Sequence, residues 1–178
     1  MTSTEPNSSP NTREEFAMRV REHQSSLFGY LSRLGLSNAL VEDVAQEAFL
    51  RAWRYRDRYD ASHSQWNTWL FRIARNLAFS AMRKNANNPM ATDPVVLQET
   101  RFHSDHPERS VEQDQKRNAL RSAIGQLNDK ERDVLALAYV QGLSSEEAAL
   151  ILECEPGNYR TRVSRAKARL TTLLENFK

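Results

Sequence analysis

Apolar positions fall into helical register in several separate stretches of the chain. Phe16, Val20, Leu27, Leu31 and Leu34 follow spacings of 4, 7, 4 and 3, which is one face of an α-helix. Thr12 and Glu15 have the form of a capping box ahead of that helix, and Gly35 is placed to stop it. A second helix is expected from about Asn38 to Arg58, with Val41, Val44, Ala45, Ala48, Phe49, Ala52 and Trp53 as its apolar stripe. A third is expected from about Asn67 to Lys84, on Leu70, Ile73, Ala74, Leu77 and Ala81. The pattern then lapses: residues 85–112 contain three Pro and no sustained period. It resumes near Ser110 and continues with breaks near Asn128, Gly142 and Pro156-Gly157. The pattern predicts an all-α fold of two small helical domains, 12–84 and 112–178, joined by a flexible linker over 85–111. Residues 1–11, rich in Ser, Thr, Asn and Pro, read as a disordered tail.

The second domain has the sequence shape of a helix-turn-helix. Ser144 and Glu147 form another capping box, Ala148 and Ala149 are small where crossing helices approach, and Asn158 is placed to cap the final helix. In that last helix Tyr159, Val163, Ala166, Leu170 and Leu173 make one core stripe. At ~100° per residue, Asn158, Thr161, Ser164, Arg165 and Ala168 lie opposite, flanked by Arg160, Arg162, Lys167 and Arg169. Short hydrogen-bonding residues with Arg165 near the base edges, and cations toward the phosphates, suit a major groove. A solvated basic face is the competing reading, and it is weakened by the absence of any acid from 156 to 174.

The first domain carries two polar faces of different character. On the second helix Asp43, Gln46, Glu47 and Leu50 lie within ~100° of one another, opposite the apolar stripe. Carboxylates, an amide and one exposed Leu make a protein-docking face, or else ordinary surface. On the third helix Arg72, Arg75, Asn76, Phe79 and Arg83 gather away from the core stripe, with Trp66 and Trp69 just before them. Cations interleaved with aromatics suit unstacked single-stranded nucleic acid, because bases stack on rings while Arg tracks the backbone. Core packing is the alternative for the two Trp residues.

Charge sharpens this picture. Across 178 residues, 25 Lys and Arg face 23 Asp and Glu, for a net charge of +2. That total is too balanced to announce nucleic-acid binding, yet it is unevenly spread. There are 12 basic and 9 acidic residues up to residue 84, 2 and 5 over 85–112, and 11 and 9 beyond. Both domains are mildly positive and the linker is acidic. A mean hydropathy of −0.70 with 39% hydrophobic residues fits folded polar domains.

Catalysis finds no constellation. His103 and His106 stand in the linker without a Cys nearby, and His23 and His63 are isolated, so no metal-ligand set assembles. No phosphate loop, G-x-S-x-G or H-E-x-x-H motif is present. The expectation is a protein with no catalytic residue, metal or cofactor. Cys154, the one cysteine, reads as a small buried hydrophobe in a reducing compartment. No run reaches the ~18 apolar residues of a membrane span, and the N-terminus lacks the features of a secretory signal. A cytoplasmic protein without membrane insertion is expected.

Asp43-Val-Ala-Gln-Glu-Ala-Phe49, then Trp69-Leu-Phe-Arg-Ile-Ala-Arg-Asn76, then Leu127 through Leu170 with its basic final helix, together resemble a bacterial RNA polymerase sigma factor of the extracytoplasmic-function (ECF, sigma-70 family) type. The resemblance spans both domains in order. It implies that Asp43, Gln46, Glu47 and Leu50 dock on the clamp helices of the polymerase largest subunit, with further contact to the polymerase flap. It implies that Arg72, Arg75 and Asn76, with Phe79, Arg83 and Trp66 around them, capture the melted minus-ten element. It places Asn158, Arg160, Thr161, Arg162, Ser164, Arg165, Lys167 and Arg169 at the minus-thirty-five duplex, and threads the linker toward the active-site cleft and RNA exit path. It further implies an anti-sigma factor that holds the free protein inactive with both domains packed around it.

Two departures stand out. Leu127-Asn128 replaces the usual Leu-Pro, and Gly157-Asn158-Tyr159 replaces Gly-Thr-Val/Ile; Asn is a competent cap at both places. Two other readings share parts of this pattern. A one-component helix-turn-helix regulator would not need the Asp43, Gln46, Glu47, Leu50 face or the Arg and Asn surface of the third helix. A sigma mimic that titrates an anti-sigma protein would tend to lose the DNA-reading cations, which this chain keeps at Arg160, Arg162 and Arg165.

Overall fold

A computed structural model describes residues 10, 12–86, 111–140 and 142–176. Apart from residues 10, 85, 86 and 111, the expected tail and linker lie outside the described residues. The described chain is seven α-helices and one short 3-10 turn: α1 (Arg13–Arg33), α2 (Asn38–Arg54), a 3-10 turn (Arg56–Arg58), α3 (Trp66–Ala86), α4 (Val111–Gly125), α5 (Asp129–Ala138), α6 (Ser145–Ile151) and α7 (Pro156–Glu175). No strand occurs among the described residues.

Local chemistry sets most of the boundaries. Thr12 and Glu15 close the capping box of α1, Asn128 and Glu131 that of α5, and Ser144 and Glu147 that of α6, each satisfying two backbone donors the first turn leaves open. Gly35 follows the end of α1 at φ 89°, where glycine is unstrained. Two starts and stops differ from expectation. α2 ends at Arg54 rather than Arg58, because the next residues tighten into the 3-10 turn, whose Arg56 donates from Nη1 to the Trp53 carbonyl. Asn158 does not cap α7: the helix begins two residues earlier, with Pro156 at its first position and Glu155 as N-cap. Pro fits there because its missing N–H would go unsatisfied anyway.

α1, α2 and α3 form a three-helix group around Leu27, Tyr30, Leu31, Val44, Ala48, Leu70, Phe71 and Ala74, all buried. α5 and α6 pack against α1 and α3, so Val134, Leu137, Ile151 and Leu152 continue the same apolar core across the two domains. A second, smaller core joins α4, α5 and α7 through Ala123, Leu127, Leu135, Ala166 and Leu173. α3 is therefore covered on two sides, which the sequence pattern does not anticipate. Phe71 and Ala78 are buried beside the expected Leu70 and Ala74, while Ile73, Leu77 and Ala81 are only partly so.

Trp66 is 1% exposed, beneath α1, with its ring 5.3 Å from His23 and 6.3 Å from Phe16. Burial lowers the His23 pKa from its ordinary 6.5, with Arg19 adding to that and Glu22 opposing it. A depressed histidine favours the fold while neutral, so its contribution is present above pH 6.5 and lost as pH falls through the lowered folded value. Thermal melts at pH 7 and pH 5 are expected to show a smaller acid-side drop in His23→Gln than in the wild-type chain. An equal drop in both would assign the acid sensitivity to another group.

Candidate nucleic-acid and polymerase interfaces

The α2 face opposite the core stands clear of the other helices. Asp43, Gln46 and Leu50 are exposed and Glu47 is half-buried, with Leu50 at 56%. Glu47 accepts a 2.6 Å hydrogen bond from Arg51 Nε one turn on, so its carboxylate is held by its own helix. The face thus presents an exposed leucine amid carboxylates and an amide, with Val44, Ala45 and Ala48 buried on the reverse side of the helix.

The α3 surface is divided. Arg72, Asn76 and Arg83 are exposed, and Arg75 and Phe79 are half-buried with the guanidinium 4.9 Å from the Phe79 ring. Arg72 Nη2 donates to Glu153 Oε1 at 2.8 Å, and Arg75 Nε donates to Asp133 Oδ2 at 2.7 Å. Trp66, expected on this surface, does not belong to it. It points into the three-helix core, because α1 lays Phe16 and His23 over the start of α3. Trp69 is half-buried against Tyr59, at 5.5 Å between rings.

α6 and α7 meet at the turn Leu152-Glu153-Cys154-Glu155, completing the helix-turn-helix. Tyr159, Ala166 and Leu173 are buried, and Val163 and Leu170 half-buried, so the core stripe of α7 lies as its spacing demands. Asn158, Arg160, Thr161, Arg162, Ser164, Arg165, Lys167 and Arg169 are all exposed on the remaining surface. Asn158 Oδ1 accepts from Arg162 Nε at 2.8 Å, orienting that guanidinium along the helix. Arg160 Nη1 lies 3.7 Å from Glu146 on α6, an exposed pair that restrains it little.

Three residues outside the expected set hold the two domains together. The Tyr30 hydroxyl donates to Asp133 Oδ1 at 2.8 Å, and Glu153 sits at φ 53° in the α6–α7 turn. Asp133 is 1% exposed, and burial pushes its carboxyl above the ordinary range against the pull of Arg75 and Tyr30. Burial and the Asp133 carboxylate push the Tyr30 hydroxyl up, so it stays protonated as the donor. The sequence does carry a trace of this: Asp133 is the acid that begins the buried run Val134-Leu135-Ala136-Leu137.

Family models for sigma-70 region 2 and sigma-70 region 4 match residues 19–88 and 117–170. The RNA polymerase sigma-H factor of Pseudomonas aeruginosa is 30% identical over 167 residues, covering 90% of this chain and 86% of the relative. The ECF RNA polymerase sigma-E factor of Escherichia coli K12 is 30% identical over 159 residues, covering 85% and 82%. The chain belongs to the extracytoplasmic-function sigma factors.

Solved structures agree in shape across both domains. CnrH in complex with the cytosolic domain of CnrY matches with a TM-score of 0.67 at 26% identity, over 93% of this chain and 91% of that one. The sigma factor RpoE of Bartonella quintana, in complex with the anti-sigma factor NepR, matches with a TM-score of 0.70 at 28% identity, over 91% and 98%. The exposed α2 face and the α3 surface of this sigma factor lie inside the region 2 match, and the exposed cations of α7 inside the region 4 match. No described helix of the sigma factor is long and apolar enough to cross a membrane.

Proposed function

We propose that this sigma factor directs core RNA polymerase to promoters through three separate surfaces, using domains at 12–84 and 112–178. The observation that carries the reading is α7, a helix whose core stripe is packed while its exposed sides carry Arg160, Arg162, Arg165, Lys167 and Arg169 with no acid over 156–174. Asp43, Gln46, Glu47 and Leu50 dock the polymerase clamp helices, with the flap as a second contact. Asn158, Arg160, Thr161, Arg162, Ser164, Arg165, Lys167 and Arg169 read the minus-thirty-five duplex, Arg165 toward base edges and the flanking cations toward phosphates. Arg72, Arg75, Asn76, Phe79 and Arg83 hold the separated strand of the minus-ten element. Trp66 supports that surface from beneath and does not touch DNA.

The chain performs no bond chemistry of its own; polymerase supplies catalysis and this protein supplies position. Promoter opening is then differential binding: the α3 surface engages unstacked bases that exist only after melting, so it stabilises the open state over the duplex. A cytoplasmic location and control by an anti-sigma factor fit the reading, and one of the two similar solved structures is a sigma factor in complex with an anti-sigma factor.

Arg165→Ala is expected to cost about 1–3 kcal/mol on a cognate upstream duplex, measured as polymerase-dependent promoter binding, with little change on scrambled duplex. Equal loss on both would make Arg165 a phosphate contact.

A further inference from the structure

A cleft of about 560 Å³ opens between α1, the start of α3 and the loop that follows α5, a volume within the roughly 300–1,000 Å³ usual for small-molecule sites. Its α1 wall is Arg19, His23, Ser26, Gly29 and Arg33, whose spacings of 4, 3, 3 and 4 put them on one helical face. Gly29, in the middle of that wall, adds no side chain to the space. Gln65 at the start of α3 and Tyr139 at the end of α5 close the other sides. None of the residues proposed to contact polymerase or DNA lines it, so promoter recognition leaves the cleft unused.

Three side chains at this cleft have no partner among the described residues. Arg33 makes no hydrogen bond or ion pair there. The surrounding protein lowers its guanidinium pKa from the ordinary value, and no carboxylate offsets that loss of hydration. Tyr139 is 60% exposed, the most of any large apolar side chain described, and its ring and hydroxyl touch no aromatic or polar group. The Gln65 amide is likewise unengaged. An uncompensated guanidinium selects an anion, and its planar fork matches phosphate. An open aromatic face takes a planar heterocycle, and an amide offers both a donor and an acceptor to that ring's edge. At the far end, Glu22 lies 3.8 Å from Arg19, and burial keeps His23 neutral at pH 7, so the attraction for an anion rests on Arg33.

We propose that this cleft binds a purine nucleoside monophosphate, with the phosphate on Arg33, the base stacked on Tyr139 and Gln65 at the base edge. One phosphate matches the one uncompensated cation. A longer phosphate chain gains little, because the Arg19 charge is already met by Glu22. The larger area of a purine makes it a better stacking partner for Tyr139 than a pyrimidine.

The test is isothermal titration calorimetry of the full chain, without polymerase or DNA, against AMP, GMP, adenosine and inorganic phosphate. AMP or GMP is expected to bind saturably with a Kd of about 1 mM or tighter, and adenosine and phosphate each about tenfold or more weakly. Arg33→Ala should weaken nucleotide binding about tenfold or more, and Tyr139→Ala about fivefold or more. Both side chains are exposed, so the unliganded variants should melt with the wild-type protein. Arg54→Ala, which removes an exposed cation on α2 outside the cleft, should change nothing. Three results would each overturn the site: no saturable binding of either nucleotide up to about 5 mM, phosphate binding as tightly as AMP, or the same loss in Arg54→Ala as in Arg33→Ala.

Discussion

Leu50→Asp is expected to remove association with core RNA polymerase while leaving the isolated protein folded. Leu50 is 56% exposed and packs on nothing that the fold depends on, so surface rules apply to its stability: a change within about 0.5 kcal/mol. At an interface the same side chain becomes an apolar anchor. Truncating such an anchor costs about 2 kcal/mol or more, and placing a carboxylate in the pocket it filled adds desolvation on top. Asp43 and Glu47 already make the patch acidic, so a further negative charge also repels its neighbours. Size-exclusion co-elution with core enzyme should drop by at least about thirtyfold in apparent affinity, with an unchanged melting temperature. Unchanged co-elution would remove this face from the polymerase interface.

Trp66→Ala is the second large effect, and it falls on stability. The ring is 1% exposed and lies against Phe16 and His23, with the Arg19 guanidinium 5.8 Å from its centre. Removing a buried indole loses its transfer free energy and leaves a cavity that α1 and α3 close only in part, about 3–5 kcal/mol in all. For a chain of this size that is on the order of 10 °C in Tm. Trp66→Phe should recover much of the loss. A Trp66→Ala protein with unaltered Tm but impaired promoter opening would instead return Trp66 to the DNA surface.

These two residues mark what a sequence can and cannot reveal about this fold. Leu50 is legible because exposure on a single amphipathic helix depends only on its own register, and α2 buries Val41, Val44, Ala45 and Ala48 as that register requires. The capping boxes of α1 and α6 are legible for the same reason, being contacts within four residues. The α7 stripe follows directly from its spacing. Trp66 is not legible, because what covers it is α1, some forty residues earlier in the chain. Arg75 is misleading in the same way: on the helical wheel it is surface, and only the approach of α5 gives it Asp133 as a partner. The start of α7 failed differently. Pro156 was a visible N1 signal that outcompeted Asn158, whose side chain instead accepts from Arg162.

The balanced charge also takes on a physical meaning. Acids of the second domain are paired with cations of the first at Asp133–Arg75 and Glu153–Arg72, while the α7 cations remain largely outward. A net +2 over the whole chain thus conceals one basic surface that is open and one that is partly neutralised from within.

The central claim, that the chain gives polymerase its promoter specificity, is tested most directly by run-off transcription. Purified core RNA polymerase is combined with this protein on a library of genomic promoter fragments. The expected result is a restricted set of discrete transcripts that depend on the added protein and disappear with Leu50→Asp. Absence of any protein-dependent product, with core polymerase shown to be active, would contradict the account.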